Sequence, residues 1–191
     1  MDKDTDINTL VERVKSGDAG AFRLIVERYQ HLSFTVAFNI AKNREDAEEI
    51  VQDAFIKAYK NILQFRSASK FSSWLYRIVY NTALTRIKKK RIDHYSLDHY
   101  FEEDYGLSIH EGWMELVEND QKKYIQLALD KLNEQDRLVL TLYYLAEEGL
   151  NDICKITNDK KSTVKVRLHR ARTKLLNHLN ILLKDELKSL A

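Results

Sequence analysis

The stretch from Asp46 to Arg91, DAEEIVQDAFIKAYKNILQFRSASKFSSWLYRIVYNTALTRIKKKR, decides how the chain folds. Ala47, Ile50, Val51, Ala54, Phe55, Ala58, Tyr59 and Ile62 recur at steps of three and four, the spacing of a helix with one buried stripe. Asp46, Glu48, Glu49 and Asp53 crowd the first half of that helix, with Asp53 and Lys57 at the i,i+4 spacing of a helical ion pair. A small polar loop, Phe65 to Lys70, leads into a second helix from about Phe71 to Arg91, with Leu75, Ile78, Val79, Thr82 and Ala83 turned inward. Phe71 and Trp74 at this spacing belong to packing rather than to stacking on a ligand. Between Arg66 and Arg91 there are eight Lys or Arg and no Asp or Glu, so a basic surface follows an acidic one within a single hairpin.

Upstream, Thr5 or Asp6 can cap a helix with Ile7, Leu10, Val11 and Val14 on one face and Gly17 as its stop. Asp18 restarts a longer helix, in which Phe22, Ile25, Val26, Tyr29, Leu32, Val36, Ala37 and Ile40 keep helical spacing until about Asn43. These helices and the hairpin make one domain, residues 1–92. The chain then changes character: from Ile92 to Asp120 there are nine Asp or Glu and no Lys or Arg, and the apolar spacing is irregular. Residues 93–120 read as an acidic linker, solvated and of the charge to repel DNA or to occupy a basic groove.

Helical spacing resumes in a second domain, residues 121–191. Val117, Tyr124, Leu127, Ala128 and Leu132 share one helix face, and Asn133 with Asp136 offers a capping-box-like start to a helix carrying Leu138, Val139, Leu142, Tyr143 and Leu145. A short helix, Leu150 to Thr157, a turn at Asn158-Asp159 and a final helix from about Lys161 make a helix-turn-helix. Asn158 tolerates the left-handed conformation that such a turn needs. Val164, Leu168, Ala171 and Leu175 face inward, which sends Lys160, Lys161, Ser162, Thr163, Lys165, Arg167 and Arg170 to the outer face or the exposed start. From Lys155 to Lys174 there are eight Lys or Arg against one acid, Asp159. A recognition helix is built this way, with N-terminal residues at base edges and cations on phosphates; Arg167 and Arg170 suit guanine best, because a guanidinium pairs with it bidentately.

The 191 residues include no proline and only five glycines, and so favour an all-α protein of two small helical domains. One cysteine, Cys154, excludes an internal disulfide and points to a reducing compartment; between Ile153 and Ile156 it is expected to be a small buried hydrophobe. No apolar run approaches the roughly 20 residues of a membrane span and the N-terminus has no apolar leader, so a cytoplasmic protein without membrane insertion is expected. Phosphate-binding glycine loops, GxSxG and HExxH are missing. The six histidines, His31, His94, His99, His110, His169 and His178, lack metal-ligand spacing. No catalysis, cofactor or metal is expected.

The hairpin quoted at the outset resembles region 2 of bacterial sigma factors of the small, extracytoplasmic-function group. VKVRLHRARTKL, Val164 to Leu175, and the frame LDKLNEQDRLVLTLYYLAEEGLNDICKIT before it resemble region 4 of the same group. The resemblance covers about residues 18–91 and 124–180 and implies a factor that joins core RNA polymerase and directs it to promoters. It implies that Asp46, Glu49, Gln52 and Asp53 grip the clamp helices of the polymerase β′ subunit. Phe65, Arg66, Ser67, Ser69 and Lys70 would capture a base flipped from the −10 element; Tyr80 and Asn81 lie on the outer face of the following helix, where Asn81 has the donor–acceptor pair to read an adenine edge, and Lys88 to Arg91 would grip phosphates. The second domain would bind the −35 element and dock on the β flap, the linker would thread near the RNA exit channel, and an anti-sigma factor would hold the protein in reserve. Where primary sigma factors carry a melting tryptophan pair, this chain has Arg77 and Ile78, as is usual for the small group. Asn133 stands where proline is common, Cys154 and Lys155 where alanine and an acid are, and Asn158 to Lys161 replace a Gly-apolar turn; these departures bear on the −35 sequence preferred. A DNA-binding regulator that works without polymerase is the competing reading, but it leaves the acidic helix and the Phe65–Arg91 segment without a task. A purely protein-binding adaptor leaves both basic segments unexplained.

Overall fold

The computed structural model describes residues 6–66, 69–94 and 119–189. The chain divides into two compact units, Met1–Gly106 and Leu107–Ala191. Thr5, Ser67 and nearly all of the acidic stretch expected between the domains lie outside the described residues.

In the first unit the first three helices each begin where a short polar side chain satisfies an otherwise orphaned N–H. Asp6 accepts from Asn8 N at 3.2 Å to open α1 (Ile7–Lys15), Asp18 from Ala21 N at 3.1 Å to open α2 (Ala19–Ala41), and Asn43 from Asp46 N at 2.8 Å to open α3 (Arg44–Asn61). Gly17, at φ +99°, makes the reversal between α1 and α2, a conformation L side chains rarely adopt. Lys42 closes α2 in the left-handed region at φ 63°, its N–H on Phe38 O at 2.9 Å, a glycine's task that nothing in the sequence announces. After a single tight turn, Ile62–Gln64, and the loop, α4 runs Phe71–His94.

α2 is the central element, with α1, α3 and α4 all packed on it. That is why its second half is buried almost all round, Ser33, Thr35 and Asn39 included, rather than along one stripe. Leu10, Val11, Val14, Ile25, Ala47, Ile50, Ala54, Phe55, Ala58, Leu75, Val79 and Ala83 are buried as their spacing requires, and Tyr76 joins them with its ring 6.3 Å from that of Tyr29. Tyr59 departs from expectation: it lies against Phe22 with one side in solvent. Phe65, Phe71 and Trp74 form a triangle of rings with centroids 5.3–5.5 Å apart, and it joins the two ends of the loop.

The second unit comprises α5 (Asn119–Asp130), α6 (Glu134–Leu140), α7 (Leu150–Thr157) and α8 (Lys161–Ser189). Asn133 caps α6 through Asp136 N at 2.9 Å, as the sequence reading has it. Beyond Leu140 the helix widens to a π turn, Thr141–Leu145, before Glu147 at φ 51° and Gly149 lead into α7. Asn158 is left-handed, φ 59° and ψ 27°, and the chain re-enters helix at Lys161, the expected helix-turn-helix. Ile153, Ile156, Val164, Leu168 and Ala171 are buried. Leu129 takes the core place expected of Leu127, which is exposed, and Cys154 is only half-buried, because the apolar face of α7 passes through Ile153 and Ile156 instead.

Candidate nucleic-acid and protein-docking faces

On α3, Glu49, Gln52 and Asp53 point to solvent, and Asp53 has no partner among the described residues, because Lys57 turns away to donate to Thr82 Oγ1 on α4 at 3.1 Å. Asp46 does not join that face. It is buried, and its carboxylate is held from three directions: by Asn43 Nδ2 at 2.5 Å, by Lys90 Nζ at 2.6 Å and by Arg86 Nε at 3.2 Å. Arg86 also pairs with Glu49. Burial pushes the Asp46 carboxyl upward, but the hydrogen bonds from Lys90, Asn43 and Arg86 outweigh it and hold the group below the ordinary carboxylate range. Burial likewise opposes the charge on Arg86, and its bond to Asp46 together with the nearby Glu49 charge raises it nonetheless. Asp46 is therefore a brace between α3 and α4, buried away from the exposed acidic face, and Lys90, expected on phosphates, is engaged by that brace.

The loop keeps Arg66 and Lys70 exposed and Ser69 half-buried. Phe65 is 3% exposed, so it is not an open wall for a base: its ring is used up in the triangle with Phe71 and Trp74, and it fixes the loop from beneath. On α4, Arg77, Asn81, Leu84 and Lys88 follow at steps of four, three and four and form one exposed stripe, with Tyr80 half-buried beside it. Leu84 escaped the sequence reading, as did the exposed Ile56 and Leu63; with Tyr59, expected in the buried stripe but 44% exposed, Ile56 and Leu63 line α3 and the turn after it beside Gln52 and Asp53.

The eight cations between Lys155 and Lys174 separate into two sets. Four are used within the fold. Lys155 pairs with Asp152 at 3.0 Å, and Arg167 with Asp159 at 2.5 Å. Lys174 pairs with the buried Asp136 at 2.6 Å, and the Arg172 guanidinium stacks 5.0 Å and 5.3 Å from the rings of Tyr143 and Tyr144. The other four, Lys160, Lys161, Lys165 and Arg170, are exposed and without a partner among the described residues, beside the exposed Ser162 and Thr163. Arg167, expected to stand free, is thus held at the turn. Val166, 57% exposed, adds an apolar spot to the outer face; its only sequence signal is that it falls out of register with Val164, Leu168 and Ala171.

The two basic faces thus sit on separate units, each steadied by the same device: an Asn cap and an Asp, pinned by a cation of the unit's last helix. Among the described residues no helix is long and apolar enough to cross a membrane, and no group of three or more His, Cys, Asp or Glu sits together as metal ligands would.

Comparison with known proteins agrees with this division. The Sigma-70 region 2 family matches residues 25–92 and the Sigma-70, region 4 family residues 122–175. The ECF RNA polymerase sigma factor SigW of Bacillus subtilis is 36% identical over 181 residues, 91% of this chain and 96% of its own. The ECF RNA polymerase sigma-E factor of Haemophilus influenzae is 33% identical over 183 residues, 91% of this chain and 95% of its own. Among solved structures, the sigma factor RpoE of Bartonella quintana, in complex with the anti-sigma factor NepR, matches 84% of this chain and 97% of its own at TM-score 0.69 and 22% identity, a likeness of fold. The chain belongs to the sigma-70 family of RNA polymerase sigma factors, in its extracytoplasmic-function group.

Proposed function

We propose that this protein is an alternative sigma factor of the cytoplasm, without catalysis or cofactor of its own. It binds core RNA polymerase and directs it to a subset of promoters through the −10 and −35 elements. The observation that carries the assignment is the pair of separate basic faces, one of them sharing its unit with an exposed acidic face. A free-standing regulator has no use for the latter. Residues 1–92 would serve the polymerase and the −10 element, 93–120 would link, and 121–191 would serve the −35 element.

Glu49, Gln52 and Asp53 would meet the β′ clamp helices, and the second domain would dock on the β flap. Arg66, Ser67, Ser69 and Lys70 would hold a flipped base in a loop whose ends the ring triangle keeps still. A splayed base needs hydrogen-bond donors and acceptors in fixed places, which short serines and an arginine supply. Tyr80, Asn81 and Lys88 would continue along the strand. Lys160, Lys161, Ser162, Thr163, Lys165, Arg167 and Arg170 would meet the −35 duplex, and an anti-sigma factor would compete for the polymerase-binding faces.

Run-off transcription with core polymerase, with and without the protein, on fragments of its genome tests the whole reading. Transcripts that need both components are expected; DNA binding by the protein alone, with no binding to core, would overturn it.

The division of the basic helix into engaged and free cations makes a finer prediction. Lys161→Ala and Lys165→Ala each weaken −35 binding about equally on all sequences and reduce the salt slope by about one. Lys174→Ala leaves the slope alone and lowers the stability of the second domain by about 1–2 kcal/mol, because it strips a partner from the buried Asp136. Titrations of holoenzyme on promoter DNA from 50 to 200 mM salt, alongside thermal melts, separate the two classes.

A further inference from the structure

The turn that opens α8 carries an acid among cations and small polar residues. Asp159 follows the left-handed Asn158 and precedes Lys160, Lys161, Ser162 and Thr163. Its Oδ2 accepts from a terminal guanidinium nitrogen of Arg167 at 2.5 Å, and the two side chains are only 28% and 19% exposed. Side chains of a helix lean toward its N-terminus. The Arg167 guanidinium thereby ends beside the turn, at the end of α8 that a recognition helix turns to base edges, while Lys165 and Arg170 stand out in solvent. The dipole of α8 favours a carboxylate at this end. On a surface that attracts phosphates, however, an acid subtracts charge, and the Asp159–Arg167 pair is locally neutral.

We infer that Asp159 is a positioning residue for sequence reading: it keeps Arg167 off the phosphates and presents it to one base pair of the −35 element. The inference rests on the −35 reading of α8. A guanidinium has five N–H donors in one plane; the bond to Asp159 uses one nitrogen and leaves the others for the O6 and N7 of a guanine. An arginine without that bond is drawn to the nearest phosphate as readily as to a base, and contributes affinity without discrimination. Lys160, Lys161, Lys165 and Arg170 already supply charge that is unpaired among the described residues, so a clasped arginine beside them divides the work between holding and reading.

The test uses holoenzyme assembled from core polymerase and the full chain, on promoter duplexes randomised across the −35 element with a fixed −10 element. Bound sequences are counted at several salt concentrations for the wild type, Asp159→Asn, Arg167→Ala and the double variant. Asp159→Asn is expected to flatten the preference at one base pair about tenfold and to steepen the salt slope by about one. Arg167→Ala flattens the same base pair, and the double variant flattens it no further. Asp159→Glu, which keeps the acid, retains the preference. Thermal melts show whether Asp159→Asn is as stable as the wild type, and asparagine suits a turn as well as aspartate does. An unchanged base profile in Asp159→Asn, or a uniform loss on every sequence, overturns the inference and leaves the −35 reading standing. A wild-type holoenzyme with no −35 preference overturns both.

Discussion

Asp46→Ala lowers the stability of the first unit by about 2–3 kcal/mol and weakens polymerase binding only through that loss. The carboxylate gathers donors from Asn43, Arg86 and Lys90, and removing it leaves two cations facing a hole. A wholly buried pair broken in this way costs about 3–5 kcal/mol. Here Arg86 and Lys90 are 31% and 44% exposed, so water recovers part of the loss. The sign of the pH dependence follows from the depressed carboxyl: Asp46 contributes fully above its unfolded value, about 3.9, and the contribution fades as pH falls through the lower folded value. Urea melts should therefore show a constant gap between wild type and Asp46→Asn from about pH 7 to pH 5, narrowing below about pH 4. Glu49→Gln is the companion: Glu49 is 58% exposed, so its loss shifts stability by no more than about 0.5 kcal/mol while binding to core weakens. An Asp46→Ala protein as stable as the wild type that no longer binds core would return Asp46 to the docking face.

Asp46 also shows where sequence reading reaches its limit. Helix starts are local events, so Asp6, Asp18, Asn43 and Asn133 announce them within three residues, and the helix-turn-helix is legible from Asn158, which tolerates the left-handed turn before Lys161. Helical spacing sorts inside from outside poorly for α2, which is packed by three helices. Charge is another matter. Whether a cation is free depends on partners far along the chain: Arg86 finds an acid 40 residues upstream and Lys174 one 38 upstream. A count of eight cations therefore reads the sign of a surface correctly and overstates the number available to DNA. The same holds for Phe65, whose place in a polar loop suggests exposure and whose packing partners, Phe71 and Trp74, lie across the loop. The left-handed Lys42 and the π turn at Thr141–Leu145 carry no glycine or proline to mark them.

Phe65→Ala has the largest expected effect of any single change in the loop: about 3–4 kcal/mol of stability and, with it, promoter opening. The ring is 3% exposed, 5.4 Å from Phe71 and 5.3 Å from Trp74 between centroids, with Lys15 Nζ 5.9 Å above it. Truncation opens a cavity under the loop at the point where its two ends are joined. Arg66 and Ser69 would then lose the spacing that the proposed base capture requires, and a misplacement of about 1 Å is enough to matter in a preorganised site. Phe65→Leu keeps most of the volume and should cost less than about 1.5 kcal/mol, with opening retained. Arg66→Ala is the opposite case: the side chain is exposed, so the melt moves by no more than about 0.5 kcal/mol, yet on the proposed role of the loop opening falls, because a donor to the flipped base would be gone. Permanganate reactivity of −10 thymines, read beside thermal melts of the same three proteins, separates packing from contact. A Phe65→Ala protein that melts like the wild type and still fails to open promoters would mean that the ring leaves its triangle to stack on the base. The packing of Phe65 on Phe71 and Trp74 would then be one state of a moving part.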